Sequence, residues 1–356
     1  MTAGAPEAGS SEPGSSEPGS SEPGDPAPGD PEQGLPAPGD PEQGLPEQGL
    51  DVAAAVFTEV RPQLFGIVYR MLGSVVEAED VLQETWIRWH TTDRAVVRNP
   101  HAFLTTTTTR LAINVLQSAH TRRETYIGPW LPEPVDTSHD PALGAERGEA
   151  LDVAVLVLLE RLTPTERAAY VLREAFDYAY ADIADIVQLS QAAARQLVSR
   201  ARKHITSGRR STVLASQRRA LLEAFVAAAR AGDLGGLERL FAEDVVSRAD
   251  SGGVVRPAAR VPVVGRRKVA RLLEAYAETF WAGVTTGPLE VNGHSAMGLE
   301  RGGELFCVLT LTASDQGVHE VLWQMNPGKL GPVRLGRPGS RPAGEPASRP
   351  GTRPPG

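Results

Sequence analysis

Apolar side chains recur at helical spacing in two stretches of the chain, residues 51–125 and 150–206. The segment between them, 126–149, contains four prolines, so it is predicted to be a linker with little regular structure. Within the first stretch a helix is predicted from Glu77 to Trp89. Its apolar positions follow i, i+3, i+4, i+7, i+8 and i+11, which predicts a buried stripe of Ala78, Val81, Leu82, Thr85, Trp86 and Trp89.

Residues 216–330 have a different pattern. Two helices, about 217–231 and 265–281, are followed by short β-branched runs separated by glycine, such as Leu305–Thr312 and Val318–Met325. This order is typical of an α+β domain. The predicted fold class is therefore multi-domain, with two all-α modules and a C-terminal α+β domain.

Both ends of the chain are predicted to be disordered tails. Residues 10–49 are eight pentads that each end in glycine, and the first 50 residues have almost no apolar side chains. Residues 331–356 are rich in Pro, Gly and Arg. The net charge of the chain is −8, but residues 1–50 hold ten acids and no Lys or Arg, so the remainder has 36 basic against 34 acidic residues, or +2. The acidic balance therefore does not exclude a nucleic-acid partner.

Cysteine content and hydropathy narrow the class of protein further. Cys307 is the single cysteine, which excludes an intramolecular disulfide and a cysteine-based zinc site, and no metal or other cofactor is predicted. No apolar run of about 18 residues exists, and the N-terminus lacks the pattern of a secretion signal. We expect a cytoplasmic protein without a membrane partner.

The face opposite the buried stripe of the Glu77–Trp89 helix admits two interpretations. Asp80, Gln83, Glu84 and Ile87 fall together there, either as a solvated acidic face or as a docking surface for a partner, and spacing alone does not decide between them. The next predicted helix, about 100–119, and the residues after it supply polar and cationic side chains. Together with an aromatic ring such groups bind single strands, and the candidates are Trp89, Arg110, Asn114, Arg122 and Arg123. Trp89 lies at the end of its helix, so it can equally belong to the buried stripe.

The second helical stretch has the spacing of a helix-turn-helix. Thr163 and Glu166 form a capping box that opens one helix. A short helix, Ala181–Val187, is followed by a three-residue turn ending in Ser190 and by a helix from Gln191 to about Ile205. From Ile186 to Arg219 there are eight basic residues and no acid. The outward face of the last helix is predicted to bind the major groove through Gln191, Arg195, Gln196, Ser199, Arg202 and Lys203.

Several of these residues occur in motifs that resemble a known family. Tyr69–Ser74, Ala78–Trp86 and Arg173–Phe176 are similar to the corresponding segments of bacterial sigma factors of the extracytoplasmic-function group. The linker sequence Trp130–Pro134 resembles the subgroup that has a fused SnoaL-like C-terminal domain.

The resemblance implies a function for each block. Block 51–125 would be region two, which docks on the clamp helices of the largest subunit of RNA polymerase through the Asp80 face and melts the −10 element. Block 150–206 would be region four, which reads the −35 element of promoter DNA. The C-terminal domain, 216–330, would regulate the sigma factor in cis. The residues implied in that regulation are Trp130, Leu131, Pro132, Glu133, Pro134, Asp250, Asn326, Pro327, Lys329 and Leu330.

Two motifs depart from the subgroup's pattern. Its Asp-Gly-Gly-Gly stands here as Asp250–Gly253 with Ser251 second, and its Asn-Pro-Asp-Lys-Leu stands as Asn326–Leu330 with Gly328 in place of the acid. SnoaL-like folds enclose a pocket, for which Trp281 and Trp323 are candidate walls and Asp250, His294 and His319 candidate acids or bases. Three roles stay open for this domain: an isomerase or cyclase, a pocket for a small-molecule ligand, or a packing partner without chemistry. A ligand-responsive repressor that binds DNA without polymerase is a further alternative for the whole chain.

Overall fold

The computed structural model describes residues 47–124, 126–137, 153–208, 213–255, 258–331 and 333, without the side chains of 47–49, 119–124 and 207–208. The pentad repeats up to residue 46 and nearly all of the C-terminal tail lie outside these residues. Glu47–Leu50, predicted as the end of the disordered tail, instead form the first turn of a helix.

The first module consists of three helices. α1 spans Glu47–Leu72, α2 spans Val75–Thr91, and α3 spans Pro100–Glu124 after a short 3-10 turn at Arg94–Val96. Gly73 ends α1 with a φ of +66°, and Ser74 then caps α2 by accepting a hydrogen bond from the Glu77 amide at 3.2 Å. The predicted stripe of α2 is buried at every position except Trp86, which is partly buried.

The second module contains the predicted helix-turn-helix. α4 spans Val153–Leu159, α5 Pro164–Phe176, α6 Tyr180–Val187 and α7 Gln191–Gly208. The capping box at Thr163 is present in both directions, with the Glu166 amide 3.3 Å from the Thr163 hydroxyl and the Thr163 amide 3.2 Å from the Glu166 carboxylate. Gln188, at a φ of +55°, turns the chain between α6 and α7.

One hydrophobic core joins the two helical modules. It contains Ile67 and Leu72 of α1 together with Leu172 of α5 and Val198 of α7. Polar contacts reinforce it: the buried Arg167 side chain of α5 donates to the carbonyl of Met71 at 2.6 Å. The modules are therefore packed against each other rather than separated along the linker.

The C-terminal domain contains a six-stranded sheet. Its strands are β1 Phe241–Asp250, β2 Val263–Val264, β3 Val284–Val291, β4 His294–Arg301, β5 Glu304–Ser314 and β6 Gly317–Gln324. They lie in the order β2-β1-β6-β5-β4-β3, and β1 and β6 form the parallel pair. The helices are α8 Ala215–Ala231, α9 Leu234–Leu240, α10 Arg266–Trp281 and α11 Pro327–Leu330.

The period-two alternation of strand side chains divides this sheet between two cores. Val321 and Trp323 of β6 face a core that includes Phe225 of α8 and Val269 of α10. The residue between them, Leu322, points the other way and packs with Leu131 of the linker and Val153 of α4. The second face of the sheet thus contacts the linker and the second helical module.

Candidate functional site

The polar face of α2 is exposed, as a docking surface requires. Asp80 and Gln83 are exposed, Glu84 is partly exposed, and Ile87 has 51% of its surface exposed. Glu84 accepts a hydrogen bond from Arg88 at 2.7 Å. Val76, 60% exposed, lies on the same face because positions 76, 80, 83 and 87 repeat at helical spacing. Val76 was not among the predicted docking residues, although its position four residues before Asp80 places it on the same helix face.

Trp89 does not lie where a base could stack on it, and its prediction as a DNA contact is wrong for this structure. Its ring is 1% exposed and packs in a core with Leu64 and Leu104. The indole nitrogen donates to the Ala53 carbonyl at 3.0 Å. The buried stripe of α2 therefore includes Trp89, and the indole stabilises the packing of α1 on α2.

The other candidates of the first module lie on α3. Arg110 contacts the second module, since its guanidinium donates to the carbonyls of Ile186 and Asp185 at 2.9 and 2.8 Å. Partial burial lowers the pKa of Arg110. Asn114, one turn further on, is partly exposed. Arg122 and Arg123 are in the last turns of α3, and their side chains lie outside the described part of the chain.

The helix-turn-helix presents its predicted face to solvent. Ala194, Leu197, Val198, Ala201 and Ile205 of α7 are all buried, and Ser190 caps the helix at the Ala193 amide, 3.2 Å away. The opposite side chains are exposed: Gln191, Arg195, Gln196, Ser199, Arg202 and Lys203. Arg202 pairs with Glu174 at 2.6 Å, and this contact raises the pKa of the Arg202 guanidinium. Arg195 lies over the ring of Tyr180 at 5.5 Å.

A buried network, which we call the linker anchor, attaches the linker to the C-terminal domain. It consists of Asp250, Asn326 and Lys329 of that domain with Tyr126 and Leu131 of the linker. The Asp250 carboxylate is fully buried and accepts hydrogen bonds from the Tyr126 hydroxyl at 2.5 Å and the Leu131 amide at 2.9 Å. The Lys329 ammonium pairs with Asp250 at 2.8 Å, and Asn326 donates to the Tyr126 hydroxyl at 2.8 Å.

Further contacts complete this junction. Lys329 also donates to the Leu131 carbonyl at 2.7 Å and lies over the Trp130 ring at 4.3 Å. The amide of Gln324 on β6 donates to the carbonyls of Leu131 and Pro132 at 3.3 and 3.0 Å. The linker residues and the C-terminal motifs implied by the resemblance therefore meet at one place, although they are more than 100 positions apart in the chain.

The same linker contacts the first helical module through Glu133. The buried Glu133 carboxylate accepts from the Ser74 hydroxyl at 2.8 Å and from the Val75 amide at 2.7 Å. A carboxylate at this place stabilises the N-terminus of α2. Tyr69 of α1 donates to the Glu133 carbonyl at 2.6 Å and accepts from Asn292, which follows β3, at 2.7 Å. Burial raises the pKa of Tyr69, as does the Glu133 charge, while the Asn292 hydrogen bond opposes the rise.

The linker then extends the sheet at its β3 edge. Asp136 forms an isolated antiparallel bridge with Val291, the Asn292 amide donates to the Val135 carbonyl at 2.8 Å, and the Asn292 side-chain oxygen accepts from the Val135 amide at 3.0 Å. The segment from Tyr126 to Thr137 is thus held by the first module on one side and by the C-terminal domain on the other.

The two departures from the subgroup's motifs leave the anchor intact. Gly252 and Gly253 have φ values of +59° and +76°, and a Cβ at Gly252 would lie 2.8 Å from the Asn326 amide nitrogen. Ser251 accepts from the Gly253 amide at 3.3 Å. Gly328 is exposed, and a Cβ there would lie 3.4 Å from the side-chain oxygen of Asn326, so the acid that the subgroup has would lie beside Asn326 at the edge of the anchor.

The C-terminal domain contains a partly open cavity of about 430 Å³ between β1, β6 and α10. Trp281 and Trp323 line it, as predicted, with Phe280, Tyr276, Ser247 and Arg260. The three candidate acids and bases do not converge on it. Asp250 serves the linker anchor, His294 contacts Arg218, and His319 lies between Ser314 at 2.8 Å and Asp244 at 3.0 Å.

The two helical modules match family models of sigma factors, and the chain is similar to known sigma factors over most of its described length. Residues 56–122 match the family model of sigma-70 region 2, and residues 152–205 match that of sigma-70 region 4. The chain is 38% identical over 235 residues to the ECF RNA polymerase sigma factor SigJ of Mycobacterium tuberculosis strain H37Rv, covering 64% of this chain and 74% of the relative. The chain belongs to the extracytoplasmic-function (ECF) RNA polymerase sigma factors.

Two other similarities agree with this assignment. A probable ECF sigma factor, SigI of M. tuberculosis, is 33% identical over 217 residues, which cover 59% of this chain and 75% of the relative. The crystal structure of M. tuberculosis SigJ matches with a TM-score of 0.62 at 33% identity, over 80% of this chain and all of that one. The prediction of two sigma modules and a C-terminal α+β domain is confirmed. Among the described residues, no helix is long and apolar enough to cross a bilayer.

Proposed function

We propose that this sigma factor binds core RNA polymerase through the exposed face of α2 and delivers α7 to the −35 element. The observation that carries the proposal is that both surfaces are exposed while the apolar positions behind them are buried. As a sigma factor acts where polymerase acts, we place the protein in the cytoplasm.

The docking surface consists of Asp80, Gln83, Glu84 and Ile87, to which we add Val76. Two apolar side chains framed by carboxylates suit a partner surface with basic residues around an apolar patch. Glu84 keeps its orientation through Arg88, so the charge of this face is partly compensated before docking.

Promoter contacts divide between the two modules. On α7, Arg195 and Gln196 are proposed to read base edges, while Lys203 and Ser199 hold phosphates. Arg202 would exchange its pairing with Glu174 for DNA. On α3, Arg110, Asn114, Arg122 and Arg123 are proposed to hold the −10 strand. For Arg110 this requires that the second module first separate from α3, because the Arg110 guanidinium donates its hydrogen bonds to the Ile186 and Asp185 carbonyls.

The linker anchor is proposed to regulate the sigma factor in cis by keeping the two helical modules together. It fixes residues 126–137 against both the first module and the C-terminal domain, and Leu131 packs with Val153 at the start of the second. In this arrangement the modules share one core. Release of the linker would therefore favour the separated arrangement that two distant promoter elements require.

We propose no catalytic activity for the C-terminal domain. A general acid or base must lie within hydrogen-bond reach of its substrate. Asp250 has its carboxylate in the linker anchor, and His294 and His319 have their ring contacts away from the cavity. A small-molecule ligand in the cavity is the second candidate role, favoured by its two tryptophan walls.

Polymerase capture tests the docking proposal. The double variant Asp80→Arg with Glu84→Arg reverses both charges one turn apart and also replaces the acidic partner of Arg88 by a like charge. It should lose binding to core polymerase in a pull-down, with an unchanged circular dichroism spectrum. The matched control is Glu274→Arg with Glu278→Arg, which makes the same charge change one turn apart on α10. Equal binding by both variants would remove α2 as the docking surface.

Promoter reading is tested by run-off transcription with polymerase holoenzyme. Arg195→Ala should weaken binding by about 1–3 kcal/mol at one base position if the guanidinium reads a guanine. Loss of the same size for every sequence would instead identify a phosphate contact.

A further inference from the structure

We infer that the cavity of the C-terminal domain binds a small amphiphile, with an apolar body between the tryptophans and an anionic head group at Arg260, and that its occupancy acts on the linker anchor. This inference rests on the proposed regulation in cis and names its ligand class.

The lining determines the class of the ligand body. Nine of the twelve described lining residues are Ala, Leu, Met, Phe or Trp, and the other three are Ser247, Arg260 and Tyr276. The Trp323 indole already donates to the Ser247 hydroxyl at 3.1 Å, so these two polar groups are paired with each other inside the wall. A volume of about 430 Å³ lies in the range of small-molecule sites. The body of the ligand should therefore be apolar.

Charge determines the head group. Arg260 is the one cationic residue among the described lining residues, and none of those residues is acidic. Arg260 is exposed, so a head group bound there would stay in contact with water while the body is buried. On α10 the exposed cations Arg267, Lys268 and Arg271 are accompanied by the exposed acids Glu274 and Glu278, and none of these five residues lines the cavity. Arg260 therefore favours a carboxylate, sulfate or phosphate over a cation.

The cavity wall and the linker anchor are adjacent along the chain at two places. Ala249 lines the cavity and precedes Asp250, and Met325 lines it and precedes Asn326. The Met325 amide donates to the Asp250 carbonyl at 2.7 Å, which ties the two places together.

A third adjacency connects the cavity directly to the linker. A Cβ on Gly128 would lie 3.9 Å from the backbone of Arg260, so the linker packs against the residue that would hold the head group. A ligand that shifts these wall residues would change the geometry of the anchor, and by linkage release of the anchor would change the affinity for the ligand.

The binding test uses dodecanoate and dodecanol as a probe pair, because they share an apolar body and differ in the head group. Binding to the full chain is followed by quenching of tryptophan fluorescence, below the concentration at which either probe forms micelles. Dodecanoate should bind about two- to fivefold more tightly than dodecanol, the size of one ion pair at an exposed site. Equal affinities would overturn the anionic head group.

Variants locate the site. Arg260→Gln should remove the preference for dodecanoate, whereas Arg267→Gln, which changes an exposed arginine that does not line the cavity, should keep it. Ala258→Phe fills the cavity and should abolish binding of both probes; its fold is checked by circular dichroism, and Arg260→Gln tests the site if that variant fails to fold. Binding that none of the lining variants changes would overturn the cavity as the site.

Coupling is measured by amide hydrogen exchange at Leu131 and Gly252, whose amides donate to Asp250. Saturating dodecanoate should change exchange at both amides, and unchanged exchange would overturn the link to the anchor. Asp250→Asn separates this inference from the proposed regulation. If that variant alters transcription while no probe binds the cavity, regulation in cis stands and the ligand inference fails.

Discussion

Removal of one hydroxyl group, Tyr126→Phe, tests whether the linker anchor holds the linker. The phenol donates to Asp250 at 2.5 Å and accepts from Asn326 at 2.8 Å. The variant keeps the ring that faces the Lys329 ammonium at 5.2 Å, so it removes hydrogen bonds while leaving the packing in place. Burial raises the pKa of Tyr126, and its hydrogen bond to the Asp250 carboxylate raises it further, which keeps the phenol a donor at neutral pH.

The size of the effect follows from the charge of the acceptor. Hydrogen bonds to charged groups contribute about 1.5–3 kcal/mol, and we expect the lower end because Asp250 keeps its bonds to Leu131, Gly252 and Lys329. Since a difference of about 1.4 kcal/mol corresponds to a factor of ten, the population with a released linker should rise about tenfold.

Amide hydrogen exchange in the full chain measures that population. The amides of Leu131 and Glu133, which donate to Asp250 and to the Gly73 carbonyl, should exchange about tenfold faster in Tyr126→Phe, given the expected ~1.4 kcal/mol. Tyr178→Phe is the matched control, because its hydroxyl contacts Gln63 and Thr105 away from the anchor. If both variants leave Leu131 exchange unchanged, the network around Asp250 does not hold the linker.

Three further predictions concern the same junction. Tyr69→Phe should reduce the loss of stability at alkaline pH. Because burial raises the pKa of Tyr69, the unfolded chain releases this proton above about pH 10 while the folded chain keeps it. In urea titrations the unfolding free energy should therefore fall by up to ~1.4 kcal/mol per pH unit in the parent, and less steeply in the variant. Gly73→Ala should destabilise the protein more than Gly303→Ala, since both have positive φ but only the first Cβ would meet the Trp130 ring, at 2.6 Å; equal losses in thermal unfolding would contradict the contact. Gly328→Asp should change the unfolding free energy by less than about 0.5 kcal/mol because the position is exposed, and a larger change would show that the subgroup's acid has a partner here.

Helical periodicity was enough to predict the faces of individual helices. On α7 every predicted inward residue is buried and every predicted outward residue is exposed, because a short amphipathic helix has one partner and one solvent side. Trp89 shows the limit of this reasoning. Its place at the end of α2 left its environment open, and only the packing of α1 and α3 around it determines that it is buried.

Long-range polar contacts could not be derived from spacing. Tyr126, Tyr69, Gln324 and Asn292 are members of the junction, yet none belongs to a periodic pattern, and their partners lie on other elements. The run of threonines at 105–109 on α3 is polar, so its burial could not be predicted from hydropathy either. Four of the five are buried, and Thr108 donates to Thr85 of α2 at 3.1 Å, so part of this interface is polar.

The reach of the linker supports the proposed regulation in cis. Elements at −35 and −10 are centred about 25 base pairs apart, or about 85 Å of duplex at about 3.4 Å per base pair. Between the end of α3 at Glu124 and the start of α4 at Val153 there are 28 residues, since 152 − 124 = 28, with a maximum extension of about 95 Å. When residues up to Thr137 are held, 15 residues are left, since 152 − 137 = 15, and their maximum extension is about 50 Å. An anchored linker therefore has about half the reach of a released one, which is the physical basis of the proposed regulation in cis.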